Sequence, residues 1–214
     1  MFDRKEHWEN VYRSKSSREV SWYQDDPALS LRLIGNAGLD IETPVIDVGG
    51  GTSRLVDKLC AAGYTDISVL DVSAAALAHA KQRLTANIDD KQQPCDVQWY
   101  EEDITRFKPP RQFGLWHDRA VFHFLTRKSD RDRYVAVLKK ALTPGAHVII
   151  MAFAIDGPLK CSGLDIVQYD TAKLIAALGP GFELVEEGYD IHNTPAGGEQ
   201  KFAYFHLVYT TSLR

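Results

Sequence analysis

Val45-Ile46-Asp47-Val48-Gly49-Gly50-Gly51-Thr52-Ser53-Arg54-Leu55 is the stretch on which the fold of this 214-residue chain turns. An apolar strand carrying one acid runs directly into three glycines. A backbone that turns sharply and lets a ligand come close needs residues without a Cβ, so the stretch predicts a ligand loop at the end of a strand. A dinucleotide fingerprint has glycines at the first, third and sixth positions of such a turn, and here those positions are Gly49, Gly51 and Arg54. The third glycine lets helix and strand pack closely, so Arg54 argues against the pyrophosphate geometry of a nicotinamide or flavin enzyme.

On either side of the loop the pattern alternates. Thr52 to Ala62 reads as a helix, with Leu55, Val56, Leu59 and Cys60 at helical spacing, and Gly63 sits where that helix would stop. Ile67 to Val72 reads as a second strand, and Ser73 caps an alanine-rich stretch of high helix propensity through about Leu84. Further strands are expected at Val97 to Tyr100, Phe113 to Trp116 and His147 to Phe153, with a helical pattern at Tyr134, Val137, Leu138 and Ala141. This order predicts an α/β fold whose parallel sheet is covered by helices on both faces, with ligands at the carboxyl ends of the strands. Phe182 to Tyr189 and Phe202 to Tyr209 have no helix between them and predict an antiparallel pair. Leu142-Thr143-Pro144-Gly145-Ala146 reads as a structural helix exit, and Asp89 to Pro94 as a surface loop. Trp8, Tyr12, Trp22 and Tyr23 are too many aromatics for a free tail, so residues 1–40 are expected to lie as helices across the top of the sheet.

A composition of 44% hydrophobic and 25% charged residues is that of a globular domain, and a net charge of -4 gives no footprint for nucleic acid. The first residues are charged and no run approaches the roughly 20 apolar residues needed to cross a bilayer, so the expectation is a cytoplasmic protein without membrane contact. Cys60, Cys95 and Cys161 are few and widely spaced, which predicts free thiols, with Cys60 in the core.

In Asp-x-Gly-x-Gly-x, starting at Asp47, the loop resembles motif I of the class I S-adenosylmethionine-dependent methyltransferases, with Ser53 where that pattern often has a third glycine. Four later segments fall in the family's order: Leu70-Asp71-Val72-Ser73, Glu102-Asp103-Ile104, Leu115 to His123, and Leu142 to Ala146. The resemblance covers about Asp40 to Tyr209. It implies a Rossmann-like, seven-stranded, mostly parallel sheet with helices on both faces and an antiparallel C-terminal hairpin, in a single domain spanning 1–214.

The resemblance also implies S-adenosylmethionine as cofactor, with S-adenosylhomocysteine as product. Asp71, twenty residues after Gly51 and followed by Val72, is the expected ribose acid. Asp103 would accept from the adenine amino group, with the Ile104 N–H at a ring nitrogen. Carbonyls of Asp118 or Arg119 would take the ligand ammonium, while Gly49, Gly50, Gly51, Thr52 and Ser53, behind Asp47, would hold its carboxylate.

Methyl transfer is a single in-line displacement that requires alignment and exclusion of water, and a base only if the acceptor must lose a proton. His123, just past the fourth strand, is the expected base, with a packing role as its alternative. Trp22 and Tyr23 would enclose the methyl group or a cationic acceptor, with Tyr23 placed beside His123 as catalytic and Trp22 against the cofactor. The spacings of His117, His123, His192 and Cys161 fit no metal ligand set, and no metal is expected. The turn-rich runs Gly157 to Leu164 and His192 to Gln200 are candidate lids.

The preferred acceptor is a small molecule. Trp8-x-x-x-Tyr12 and Trp22-Tyr23 are also similar to the group containing the citrate synthase lysine methyltransferase, which leaves protein lysine as an alternative. A non-catalytic nucleoside-binding module is a further alternative. Both monomer and homodimer are compatible with the sequence.

Overall fold

The computed structural model describes residues 3–86 and 95–210. Helix α1 (Arg4–Ser14) starts at Asp3, whose side chain accepts from the Glu6 N–H at 3.1 Å, and helix α2 (Ala28–Asn36) buries Leu33 and Ile34. The sheet then opens with β1 (Val45–Val48), every residue of which is buried. Its short apolar run is that of a strand covered on both faces.

Helix α3 (Leu55–Ala61), β2 (Asp66–Asp71), α4 (Ala74–Ala86), β3 (Asp96–Glu101) and β4 (Phe113–Arg119) follow. After a 3-10 turn at Phe122–Phe124 come α5 (Lys128–Ala141) and β5 (Leu142–Phe153). A two-residue hairpin, β6 (Lys160–Cys161) and β7 (Leu164–Asp165), leads to α6 (Thr171–Leu178), β8 (Phe182–Asn193) and β9 (Glu199–Tyr209).

The seven-stranded sheet runs β3-β2-β1-β4-β5-β9-β8, with all strands in one direction except β9, which is antiparallel to both β5 and β8. Strand order therefore reverses between β1 and β4, and the crevice beyond their carboxyl ends is where an open α/β sheet takes its ligand. One face packs Phe113, Trp116, Phe122, Tyr134, Leu138 and Phe205 under α5 and α6. The other packs Leu33, Ile34, Leu55, Leu59, Leu115 and Phe153 with α2 and α3. The edge strand β3 alternates in exposure, as a half-covered strand does.

Two boundaries and one cysteine pairing differ from the sequence reading. Helix α3 begins at Leu55, not Thr52, because Gly51 has φ +52° and Ser53 Oγ accepts from the Leu55 N–H at 3.1 Å, which keeps the loop non-helical. The expected helix exit at Leu142 to Ala146 is the first part of β5, with the register slipping between Phe113 and Leu115 to admit Gly145. The third difference corrects the free-thiol reading: Cys60 and Cys95 form a disulfide that joins α3 to the start of β3, while Cys161 is free and buried. Their 35-residue separation crosses two elements, so only the parallel pairing of β2 with β3 brings them together. The expected loop at Asp89 to Pro94 lies outside the described residues.

Candidate active site

A cavity opens over the carboxyl ends of β1, β2 and β4, with about 780 Å³ of space including the part open to solvent. The glycine loop forms one wall because no larger residue fits there. Gly49 has φ +68°, and a Cβ on it would lie 2.0 Å from Val121 Cγ2. A Cβ on Gly51 would lie 2.5 Å from the Tyr12 hydroxyl.

Asp71 ends β2 at the cavity, only 6% exposed, and accepts the Ser73 N–H at 2.8 Å. Burial pushes its carboxyl up to about 7; the Asp47 charge adds to the rise, and the N–H groups of Ser73, Gly51 and Val72 oppose it. Hydroxyl donors from a vicinal diol would complete what those N–H groups begin, so this acid fits a ribose. Val72 and Ile104 line the cavity beside it.

Asp103 also lines the cavity, but its oxygens are engaged. Oδ1 accepts from the Thr105 N–H and hydroxyl at 2.8 and 2.7 Å, and Oδ2 accepts from Arg4 at 3.1 Å. Arg4 also reaches Asp130, so α1 is tied across the end of the cavity at Asp103. Lys5 pairs with Glu101 at 2.5 Å, and Glu9 takes the Ser73 hydroxyl at 2.7 Å and the Ala75 N–H at 3.3 Å.

Behind the loop lies a recess lined by Asp47, Gly49, Gly50, Thr52, Ser53, Tyr23 and Arg119, residues among those expected at the methionine end of a ligand. Asp47 Oδ1 accepts from His117 Nδ1 at 2.7 Å, and His117 Nε2 faces Ser30 Oγ at 3.0 Å, all three side chains being buried. This chain of three fixes the acid that braces the loop. Spacing gave no sign that Ser30 takes part.

The far side is aromatic. Trp8 lies edge-on to Trp22 at 5.5 Å and to Phe124 at 5.0 Å between ring centres, and Tyr12, Leu125 and Cys161 complete the wall. Burial pushes the Cys161 thiol up to about 11. Arg119 lines both cavity and recess; its Nη1 donates to the Trp22 carbonyl at 3.0 Å.

His123 is elsewhere. It is fully buried between the Phe124 and Phe153 rings, accepts weakly from the Phe153 N–H at 3.4 Å, and does not line the cavity. Burial brings its pKa down to about 3, so the structure gives it the packing role and not that of a base. Tyr23 lines the recess and donates its hydroxyl to Asp25 at 2.8 Å, apart from the aromatic wall. The Asp118 side chain is buried, accepting from the Tyr134 hydroxyl at 2.6 Å and the Val121 N–H at 2.8 Å, and the residue lines neither the cavity nor the recess, so of the two expected carbonyls only that of Arg119 belongs to a residue at the site. Among the described residues no three His, Cys, Asp or Glu side chains form a metal cluster, and no helix is long and apolar enough to cross a membrane.

The comparisons with known proteins agree with this architecture. Residues 46–148 match the family described as "Methyltransferase domain". The chain is 22% identical over 199 residues to the EEF1A lysine methyltransferase 2 of Mus musculus, covering 86% of this chain and 73% of that protein. A structure solved for work on conversion of a disulfide bond into a thioacetal group during echinomycin biosynthesis superposes with a TM-score of 0.77 at 17% identity, over 97% of this chain and 92% of that one. The N-methyltransferase NodS of Bradyrhizobium japonicum WM9, in complex with S-adenosyl-l-homocysteine, superposes with a TM-score of 0.68 at 15% identity, over 96% and 100%.

Proposed function

We propose that this chain, a class I methyltransferase that uses S-adenosylmethionine, delivers the methyl group to a small-molecule acceptor by in-line displacement and without a general base. The observation that carries the second part is the lining of the cavity, which contains no histidine. Tyr12 and Cys161 face it, but burial raises both pKa values, which leaves them poor proton acceptors. An acceptor that is already nucleophilic, such as a carboxylate or a thiolate, needs no such group.

The cofactor supplies an electrophilic methyl on a sulfonium. The chain's own residues do the rest. Asp71 and Val72 hold the nucleoside, Asp103 and Ile104 its base, and Gly49 to Ser53 the amino acid end. Trp8, Trp22 and Phe124 exclude water and limit the approach to one direction. The packing of Trp8 against Trp22 and Phe124, at 5.5 and 5.0 Å between ring centres, supports a small acceptor.

A second reading, transfer to a protein lysine, is favoured by the similarity to the mouse EEF1A lysine methyltransferase 2. Incubating the enzyme and methyl-labelled S-adenosylmethionine with cell lysate split by ultrafiltration separates the two readings. Label in a low-mass product separable from S-adenosylmethionine is the expected result, and product label confined to protein would replace the small acceptor with lysine.

A further inference from the structure

We propose that the guanidinium of Arg119 binds an oxyanion of the acceptor, so that the acceptor is a small molecule joining an apolar body to a carboxylate. This deepens the function proposed above and rests on it. Arg119 is the last residue of β4. One nitrogen, Nη1, donates to the Trp22 carbonyl; the other, Nη2, is buried and has no hydrogen-bond partner among the described residues. The guanidinium carbon lies 4.8 Å over the Phe202 ring, which covers one face of the plane and leaves its edge to hydrogen bonding.

The other arginines around the site show what a settled guanidinium looks like in this protein. Arg83 takes both oxygens of Asp57 and the carbonyls of Thr52 and Ser53. Arg4 holds Asp103 and Asp130, and Arg54 holds Asp25. Arg119 has no carboxylate in ion-pair contact among the described residues; Asp190, Cys161 and Asp47 act on it only at longer range. A buried cation left in this state is costly, and the cost is recovered when an anion arrives. A guanidinium whose Nη2 has no partner offers charge-assisted donors to a carboxylate oxygen.

Position assigns that anion to the acceptor. The ribose and adenine residues end β2 and β3, on one side of the β1/β4 crevice. The Arg119 guanidinium leans the other way, over β9, near Cys161, and beneath the Ser21-Trp22 segment that His192 also holds through the Ser21 carbonyl at 2.7 Å. The same cavity supplies Trp8, Trp22 and Phe124 for an apolar body. The cofactor's own α-carboxylate is the other possible source of the same chemistry, because Arg119 also lines the methionine recess.

The test titrates phenylacetate, indole-3-acetate and salicylate, each beside its primary amide, into protein saturated with S-adenosylhomocysteine, reading heat and tryptophan fluorescence. Wild type, R119M and R119K are compared. We expect at least one acid to bind wild type about 30-fold or more tightly than its amide. R119M should lose that preference while holding S-adenosylhomocysteine within about twofold, and R119K should keep part of it because the charge remains. Retained S-adenosylhomocysteine binding also reports that each variant is folded. Acids that bind R119M as well as wild type, or no acid preferred over its amide, would overturn the proposal. If R119M instead loses S-adenosylhomocysteine but keeps 5′-methylthioadenosine, which lacks the carboxylate, the anion is the cofactor's and the acceptor assignment falls. Failure of wild type to bind S-adenosylhomocysteine at all would refute the cofactor reading, a result separate from these.

Discussion

The two halves of the cavity are built by different rules. On the proposed cofactor side, the loop and acids at the ends of β1, β2 and β3 come from short consecutive segments, and Asp47, Asp71 and Asp103 already accept hydrogen bonds within the chain. On the proposed acceptor side, Trp8, Trp22, Arg119, Phe124 and Cys161 come from segments far apart in sequence, and the Arg119 guanidinium keeps an unused donor. The contrast teaches that cofactor recognition is local and preorganised, whereas acceptor recognition depends on how distant elements pack.

The largest effect that bears on this contrast belongs to Asp71. Asp71→Ala removes the acceptor of two hydroxyl hydrogen bonds to a charged group, so S-adenosylmethionine affinity should fall about 100-fold by calorimetry. An unchanged affinity would break the division, because the nucleoside would then be held elsewhere. Gly51→Ala comes next: an alanine at φ +52° costs about 1–2 kcal/mol, and its Cβ displaces the Tyr12 hydroxyl. Cofactor binding should weaken about tenfold, and the melting temperature should drop.

The pH dependence of cofactor affinity should be of similar size. Asp71, raised to about 7 in the free protein, must be ionised to accept two hydroxyls. Affinity should therefore be full above pH 7 and fall as pH drops below it, by up to about tenfold per unit. A flat profile between pH 8 and 6 would show that Asp71 is ionised throughout.

The smallest effect on turnover is expected at His123. Its folded pKa near 3 lies below the unfolded value, so its contribution to stability is fully present above about pH 6.5 and is lost as pH falls toward 3. His123→Asn should make stability less sensitive to acid in that window while the pH profile of turnover keeps its shape. Loss of a limb near neutral pH from that profile would return His123 to a chemical role.

The same division explains what the sequence revealed. The glycine loop, Asp71 and the alternation of strands and helices were legible because each is encoded within a dozen residues. The wall of Trp8 and Trp22 was half legible, as an excess of aromatics with no address. Arg4 carries no local sign of its bridge from Asp103 to Asp130, nor does Ser30 of its bond to His117. His123 misled because its neighbour Arg119 lines the cavity while the chain turns it inward, against Phe153. The Cys60–Cys95 bond depends on strand pairing across 35 residues, which composition cannot register.

Helix α1 is fastened across the cavity by Arg4 to Asp103 and Asp130, Lys5 to Glu101, and Glu9 to the start of α4. Partly exposed charge contacts of this kind weaken as dissolved salt screens them. Ionic strength thus acts on the clasp more than on the glycine loop beneath it, and in the proposed site it would tune how long a spent nucleoside stays in place. Turnover that quickens with salt would identify departure of that product, and not methyl transfer, as the slow step of the cycle.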